Sequence, residues 1–229
     1  MGGHPGGDLA ARLAIAAVRE AGVVNRRKPL SFLWRVFSSA AERIGREARQ
    51  DPNVRDMGTT LTAVLIDEGR AWVGHIGDTR LYWFRGLDMV QITRDHTMAQ
   101  DLIQSGLLSP ALADKHPTSH ILTRCLGTCP DQTPDLSAAP ILLEPGDRLL
   151  LSTDGLVKAV PPAGLARMVH RQSLDRAVED MVGAGLQGGA PDNITVILIE
   201  ALEATRGKTC TRAVPFATAS GVRWLHSQP

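Results

Sequence analysis

Cysteine is scarce in this chain: three occur in 229 residues, an odd count, and Cys125 and Cys129 have no second Cys or His pair at zinc spacing. A structural zinc site is excluded on that ground, and the cysteines read as reduced thiols in a cytoplasmic protein. A charge excess is also missing, since 25 Lys and Arg face 24 Asp and Glu. With a net charge of +1 there is no global field to gather nucleic acid or an anionic membrane, so any phosphate site must be local. No apolar run approaches the roughly 20 residues that span a bilayer. The start, MGGHPGGDLA, lacks a basic leader with an apolar stretch and lacks the Ser or Thr that myristoylation prefers. Internal repeats, serine-nucleophile motifs and the P-loop or dinucleotide glycine spacings are absent.

What is present is a mixed pattern with enough apolar residues, 43%, to fill one domain core. Residues 8–20 carry Leu9, Leu13, Ala16 and Ala17 at helical spacing. A second helix is expected with Ser31 as its cap and Leu33, Val36, Phe37, Ala40 and Ile44 as its buried stripe; Arg35, Glu42 and Arg46 fall elsewhere. From Met57 the runs TTLTAVLI, RAWVGHI, RLYWF and MVQI, separated by turn signals, predict an antiparallel meander. Thr97 to Lys115 predicts two short helices broken at Gly106. APILLEPGDRLLLSTDG predicts a strand pair around the turn 144–147. Ser173 should cap a helix ended by Gly185, and NITVILIE should be a strand buried on both faces. Residues 201–229 lose periodicity and are expected to form a poorly ordered tail. Helices in pairs around blocks of strands argue for an α+β fold with helices outside sheets.

Two aspartates stand where strands end: Asp154 between RLLLST and Gly155, and Asp192 just before the last strand, in GGAPDN. If those strands are neighbours, the two carboxylates meet. Like charges about 4 Å apart repel by about 4 kcal/mol at an effective dielectric of 20, so such a pair needs a cation or a shared proton. Oxygen-only ligands favour magnesium or manganese over zinc. The competing reading of both is a turn residue before Gly or Asn. Asp78, after Gly77 in HIGDTR, is a third candidate whose bland reading is a hairpin aspartate. Gly2, Gly3, Gly6 and Gly7 open a helix and could admit an anion near the backbone. The histidines at 4, 75, 96, 116 and 120 show no metal spacing and read as structural or solvated. Arg26-Arg27-Lys28 reads as a solvated loop, with a docking patch for acidic partners as its alternative.

MGGHPGG, MGTTLTAVLI, VGHIGDTRLYWFR, ITRDHT, HPTSHILTRCLG, EPGDRLLLSTDGL and GGAPDNITVILIE resemble, in order, the motif series of the type-2C or PPM metal-dependent protein phosphatases in their compact bacterial form. The resemblance covers residues 1–200. It implies a four-layer α-β-β-α sandwich of two antiparallel sheets flanked by helices, with a mobile flap at about 97–119. It implies Asp154 and Asp192 as ligands of two Mn2+ or Mg2+ ions, Asp78 as ligand of a third, and Gly2, Gly3, Gly77, Gly155 and Asn193 as motif support. The implied activity is hydrolysis of phosphoserine and phosphothreonine in proteins by a water activated at the binuclear centre. The implied partners are a phosphorylated protein substrate and a cognate Ser/Thr kinase, with no nucleic acid, no membrane and a monomeric state.

One departure stands out. The family places an Asp-Gly before this glycine motif, with a metal-bridging carboxylate; here Met1 holds the motif's third position. The expectation is a chain truncated at its N-terminus, lacking that Asp-Gly, the first strands, a further acidic ligand and a phosphate-gripping arginine. The alternative function is then a non-catalytic phosphatase-fold module that binds a phosphoprotein or a regulator.

Overall fold

Apolar residues recurring every three or four positions produce two helices, α1 (Gly7–Glu20) and α2 (Pro29–Gln50). The computed structural model describes residues 5–22, 24–171, 173–189, 192–203 and, as backbone, 210–218. Gly2 and Gly3 lie outside the described residues. Ala10, Ala14 and Ala17 form the buried face of α1, and their small side chains let it lie close on α2. Leu33, Val36, Phe37, Ala40 and Ile44 are the buried stripe of α2, as the spacing predicts. Its start differs: Pro29 opens the helix after Lys28, so Ser31 lies inside rather than at the cap. Proline's fixed φ suits the first helical turn.

The described residues divide into two units, the first reaching Asp78 and including Arg94–Ile141, the second comprising Thr79–Thr93 and the described residues from Leu142 on. In the first, β2 (Leu61–Asp67) and β3 (Arg70–Ile76) form an antiparallel hairpin, and β7 (Asp135–Leu136) pairs with β3. The short β1 (Gly58–Thr59) pairs with β6 (Leu126–Gly127). Met57, Leu61, Ile76 and Leu126 join the buried faces of α1 and α2 in one core. At about 1.5–3 kcal/mol for each large apolar side chain removed from water, this cluster is what holds the helices to the sheet. Within the segment 97–119, α3 (Met98–Gln104) is followed by a 3-10 turn, Pro110–Lys115, where a second helix was expected.

The second unit holds a five-stranded antiparallel sheet. Its members are β4 (Arg80–Arg85), β5 (Asp88–Gln91), β9 (Arg148–Ser152), β10 (Ile194–Leu202) and β11 (Cys210–Thr218), in the order β11-β10-β9-β4-β5. Helices α4 (Asp154–Ala159), α5 (Pro162–Val169) and α6 (Leu174–Gln187) bury Leu156, Leu165, Val169, Val178 and Met181 in one core with Tyr82, Phe84, Leu150, Val196 and Leu198 of the sheet. Each unit is thus helices on an antiparallel sheet, an α+β arrangement.

Several local expectations are corrected. The meander breaks at Gly77: β3 and β4 belong to different sheets. The reason is visible in the hydrogen bonds, since the Gly77 carbonyl accepts from the His96 N–H at 2.7 Å and the Gly77 N–H donates to His96 Nδ1 at 3.0 Å, leaving neither for a hairpin with β4. The turn 144–147 exists, with Asp147 N–H donating to Glu144 O at 3.0 Å, but β9 pairs with β4 and β10, so β8 (Ile141–Leu142) does not pair with it. Helix α6 runs through Gly185 to a C-cap at Gly188; a Cβ at Gly185 would lie 2.5 Å from Ile194 Cδ1, so packing rather than termination accounts for that glycine. Over Cys210–Thr218 the expected tail is a strand in register with β10, from Ile194↔Thr218 to Leu202↔Cys210, which covers an edge that would otherwise expose unpaired backbone groups. Cys125 and Cys129 are not reduced thiols but a disulfide: the chain folds back around β6 and brings their Cα atoms to 5.3 Å, within the range a bridge requires.

Candidate functional site

The ends of β9 and β10 bring together the backbone segments that carry two of the candidate aspartates. The ladder between these strands, closed by Ser152↔Val196, continues past its last pair through Thr153. Thr153 N–H donates to Thr195 O at 3.1 Å, its hydroxyl donates to Asn193 O at 3.0 Å, and Thr195 N–H donates back to that hydroxyl at 2.9 Å. Next in the chain, Asp154 opens α4, and Gly155 lies flat on the preceding turn of the other strand: a Cβ there would be 2.5 Å from Asn193 O and 2.8 Å from Asp192 O. A residue with a side chain would push the two segments apart. Asp154 and Asp192 therefore flank one backbone contact, each the residue just before the tightest point.

Asp154 lies among positive groups that favour its ionised form. Asp154 stands in the first turn of α4, and Lys158, one turn on, donates from Nζ to its Oδ2 at 2.5 Å. The Asp154 side chain is 22% exposed, so this ammonium already balances a half-withdrawn carboxylate. Asp192 is exposed, and its Oδ1 accepts from the Asn193 N–H at 2.7 Å, which fixes the carboxylate's orientation. Carboxylate oxygens of this kind suit a hard divalent ion, which would have to displace the Lys158 ammonium from Asp154. Among the described residues no group of three or more His, Cys, Asp and Glu is placed to hold a metal. Beside Thr153, Ser152 Oγ is buried without a hydrogen-bond partner among the described residues.

Asp78 is described with the first unit. Gly77 precedes it at φ 110, a conformation side chains rarely adopt, and a Cβ there would be 2.2 Å from Thr60 Cγ2. The turn that presents Asp78 is pinned by His96, as described above. His96 Nε2 in turn donates to Asp135 Oδ2 at 3.1 Å, and Asp135 accepts from Arg124 at 2.8 and 3.3 Å. Burial would raise the Asp135 pKa, but the bonds from Arg124 and His96 outweigh it and hold the group down at about 2. Burial pushes His96 down, against the pull of Asp135. His75, whose ring centroid is 4.7 Å from that of His96, is pushed down to about 4 by burial and by His96. As a neutral ring it takes the Thr62 hydroxyl on Nδ1 at 2.8 Å and donates from Nε2 to Arg94 O at 3.0 Å.

Thr153, Asp135 and Arg124 were not among the residues singled out from sequence, and His96 was read there as structural or solvated; it is buried and structural. ITRDHT carries His96, yet a histidine without a metal-spaced companion signals nothing until its partners, 19 and 39 residues away, are seen.

Residues 1–198 match the family model described as protein phosphatase 2C. The serine/threonine protein phosphatase PstP of Mycobacterium tuberculosis (strain ATCC 25618 / H37Rv) is 32% identical over 213 residues, which cover 91% of this chain and 40% of PstP. The chain thus spans well under half the length of that relative. Protein phosphatase PhpP of Streptococcus pneumoniae serotype 2 is 32% identical over 203 residues, 87% of this chain and 82% of PhpP. Among solved structures, the crystal structure of M. tuberculosis PstP matches with a TM-score of 0.81 at 32% identity, covering 89% of this chain and 86% of that one. The catalytic domain of PstP in complex with two manganese ions matches with a TM-score of 0.78 at 30% identity, covering 89% and 85%.

Proposed function

The chain belongs to the protein phosphatase 2C family, whose members use manganese or magnesium, and on that premise we propose that it hydrolyses phosphoserine and phosphothreonine in proteins. The observation that supports the proposal is the backbone contact at the ends of β9 and β10, where Gly155, next to Asp154, lies against the carbonyls of Asp192 and Asn193.

Asp154 and Asp192 would hold Mn2+ or Mg2+, and Asp78 would hold a third ion. When bound, such ions acidify water and balance the charge of the phosphoryl oxygens. The protein's own part is positional. Thr153 and Gly155 hold the two segments that carry Asp154 and Asp192 against each other, and the Asn193 N–H orients Asp192. Lys158 neutralises Asp154 while no metal is present and must yield to a divalent ion. Residues 97–119 act as the flap beside the bound phosphoprotein. The deciding experiment is manganese-dependent turnover of a phosphopeptide by Asp154→Asn in the full chain. A loss greater than about a hundredfold is expected for a direct ligand; unchanged turnover would remove Asp154 from the site.

A further inference from the structure

We propose that His96 is a positioning residue that locks the Gly77–Asp78 turn to the base of segment 97–119, so that the placement of Asp78 and the seating of the flap are set together. The proposal rests on the reading of Asp78 as a metal ligand and of this segment as a flap.

Four bonds converge on His96. Its backbone N–H donates to Gly77 O at 2.7 Å and its Nδ1 accepts from Gly77 N–H at 3.0 Å, so both backbone groups of the residue before Asp78 are taken by one partner. Its carbonyl accepts from Thr123 N–H at 2.9 Å, where the segment returns. Its Nε2 donates to Asp135. The next rungs close the base: Thr97 bridges Leu122, and Met98 N–H donates to Ile121 O at 2.9 Å. Departure and return of the segment are therefore tied at the residue that holds the turn.

The chemistry demands a neutral imidazole in one tautomer. Nδ1 must be bare to accept from Gly77, which puts the proton on Nε2, facing Asp135. Arg124 keeps Asp135 ionised, and an ionised carboxylate only accepts, so it selects that tautomer. His75 does not compete, because both its nitrogens are engaged by Thr62 and Arg94. With the His96 side chain 1% exposed, water cannot replace a lost bond.

The test combines amide hydrogen exchange with kinetics on the full chain. In His96→Ala, exchange should quicken together at Gly77 and around Thr123 while α2 keeps its wild-type protection. The turnover of a phosphopeptide should fall by about 10–100-fold, in kcat rather than KM, as for other residues that orient a ligand. His96→Asn, whose Oδ1 can stand where Nδ1 does, should restore protection at Gly77 and most of kcat. Should His96→Ala fail to fold, Asp135→Ala keeps the histidine and should loosen the same two places. Wild-type exchange at Gly77 and Thr123 in these variants, or quickening spread equally over α2, would overturn the proposal. Exchange reports on positioning without metal, so loosening as expected in a protein whose wild type never turns over phosphopeptide would sink the phosphatase reading and leave the coupling standing.

Discussion

Gly155 lies so close to Asp192 that a first side-chain carbon there would sit 2.8 Å from the Asp192 carbonyl oxygen. Gly155→Ala must therefore separate the two strand ends. We expect a loss of about 1–3 kcal/mol in unfolding free energy, the usual cost of overpacking, seen as a lower urea midpoint at unchanged slope. Phosphopeptide turnover should fall by about a hundredfold, since a shift of roughly 1 Å at a reacting centre costs that much. A variant with wild-type kinetics would show that the contact does not set the site.

Stability should weaken in mild acid through His75. Its folded pKa of about 4 lies below the ordinary value of about 6.5, so the unfolded chain takes up the proton first. The stability held by the neutral ring is full above about pH 6.5, is lost as pH falls towards 4 and changes little below that, a total of about 3 kcal/mol. Asp135, held down at about 2, adds a further loss in the same direction at lower pH. Urea midpoints between pH 7.5 and 4.5 should show the slope, and His75→Gln should flatten it.

Asp147 is a structural carboxylate. It is 2% exposed and accepts from Arg85 Nε at 2.9 Å and a terminal Arg85 nitrogen at 2.8 Å, from Trp83 Nε1 at 3.1 Å and from Glu144 N–H at 2.9 Å. Burial alone would raise its pKa; these donors lower it. Asp147→Ala strands them, and a loss of about 2–3 kcal/mol is expected in chemical denaturation. Affinity for manganese should stay at the wild-type value.

The Cys125–Cys129 bridge closes a very short loop. Chain-entropy reasoning gives about 2 kcal/mol for such a closure, a model-dependent figure. Alkylation of unfolded, unreduced protein should label one of the three cysteines and label all three after reduction. Cys125→Ala with Cys129→Ala should melt lower than the oxidised wild type by a corresponding margin.

Much of this was legible in the residues. The stripe Leu33 to Ile44 on α2 followed from period alone, and Asp154 and Asp192 stood out because each adjoins a buried strand and a residue that lets the chain turn. What stayed hidden depends on partners distant in sequence. The break of the meander at Gly77 is imposed by His96, 19 residues on, and the helical continuation through Gly185 by Ile194 of a neighbouring strand. The disulfide could not be read from a spacing of four, because spacing does not say how the chain bends around Leu126 and Gly127. β11 carries no alternating pattern; its place follows from the open edge of β10.

The central claim, that Asp154 and Asp192 serve one divalent-ion site, is tested most directly by calorimetric manganese titration of the wild type, Asp154→Asn, Asp192→Asn and the double variant. Residues sharing an ion couple, so each single change should weaken binding strongly and the double should add little to either. Single variants that keep wild-type affinity, or losses that simply add in the double, would contradict it.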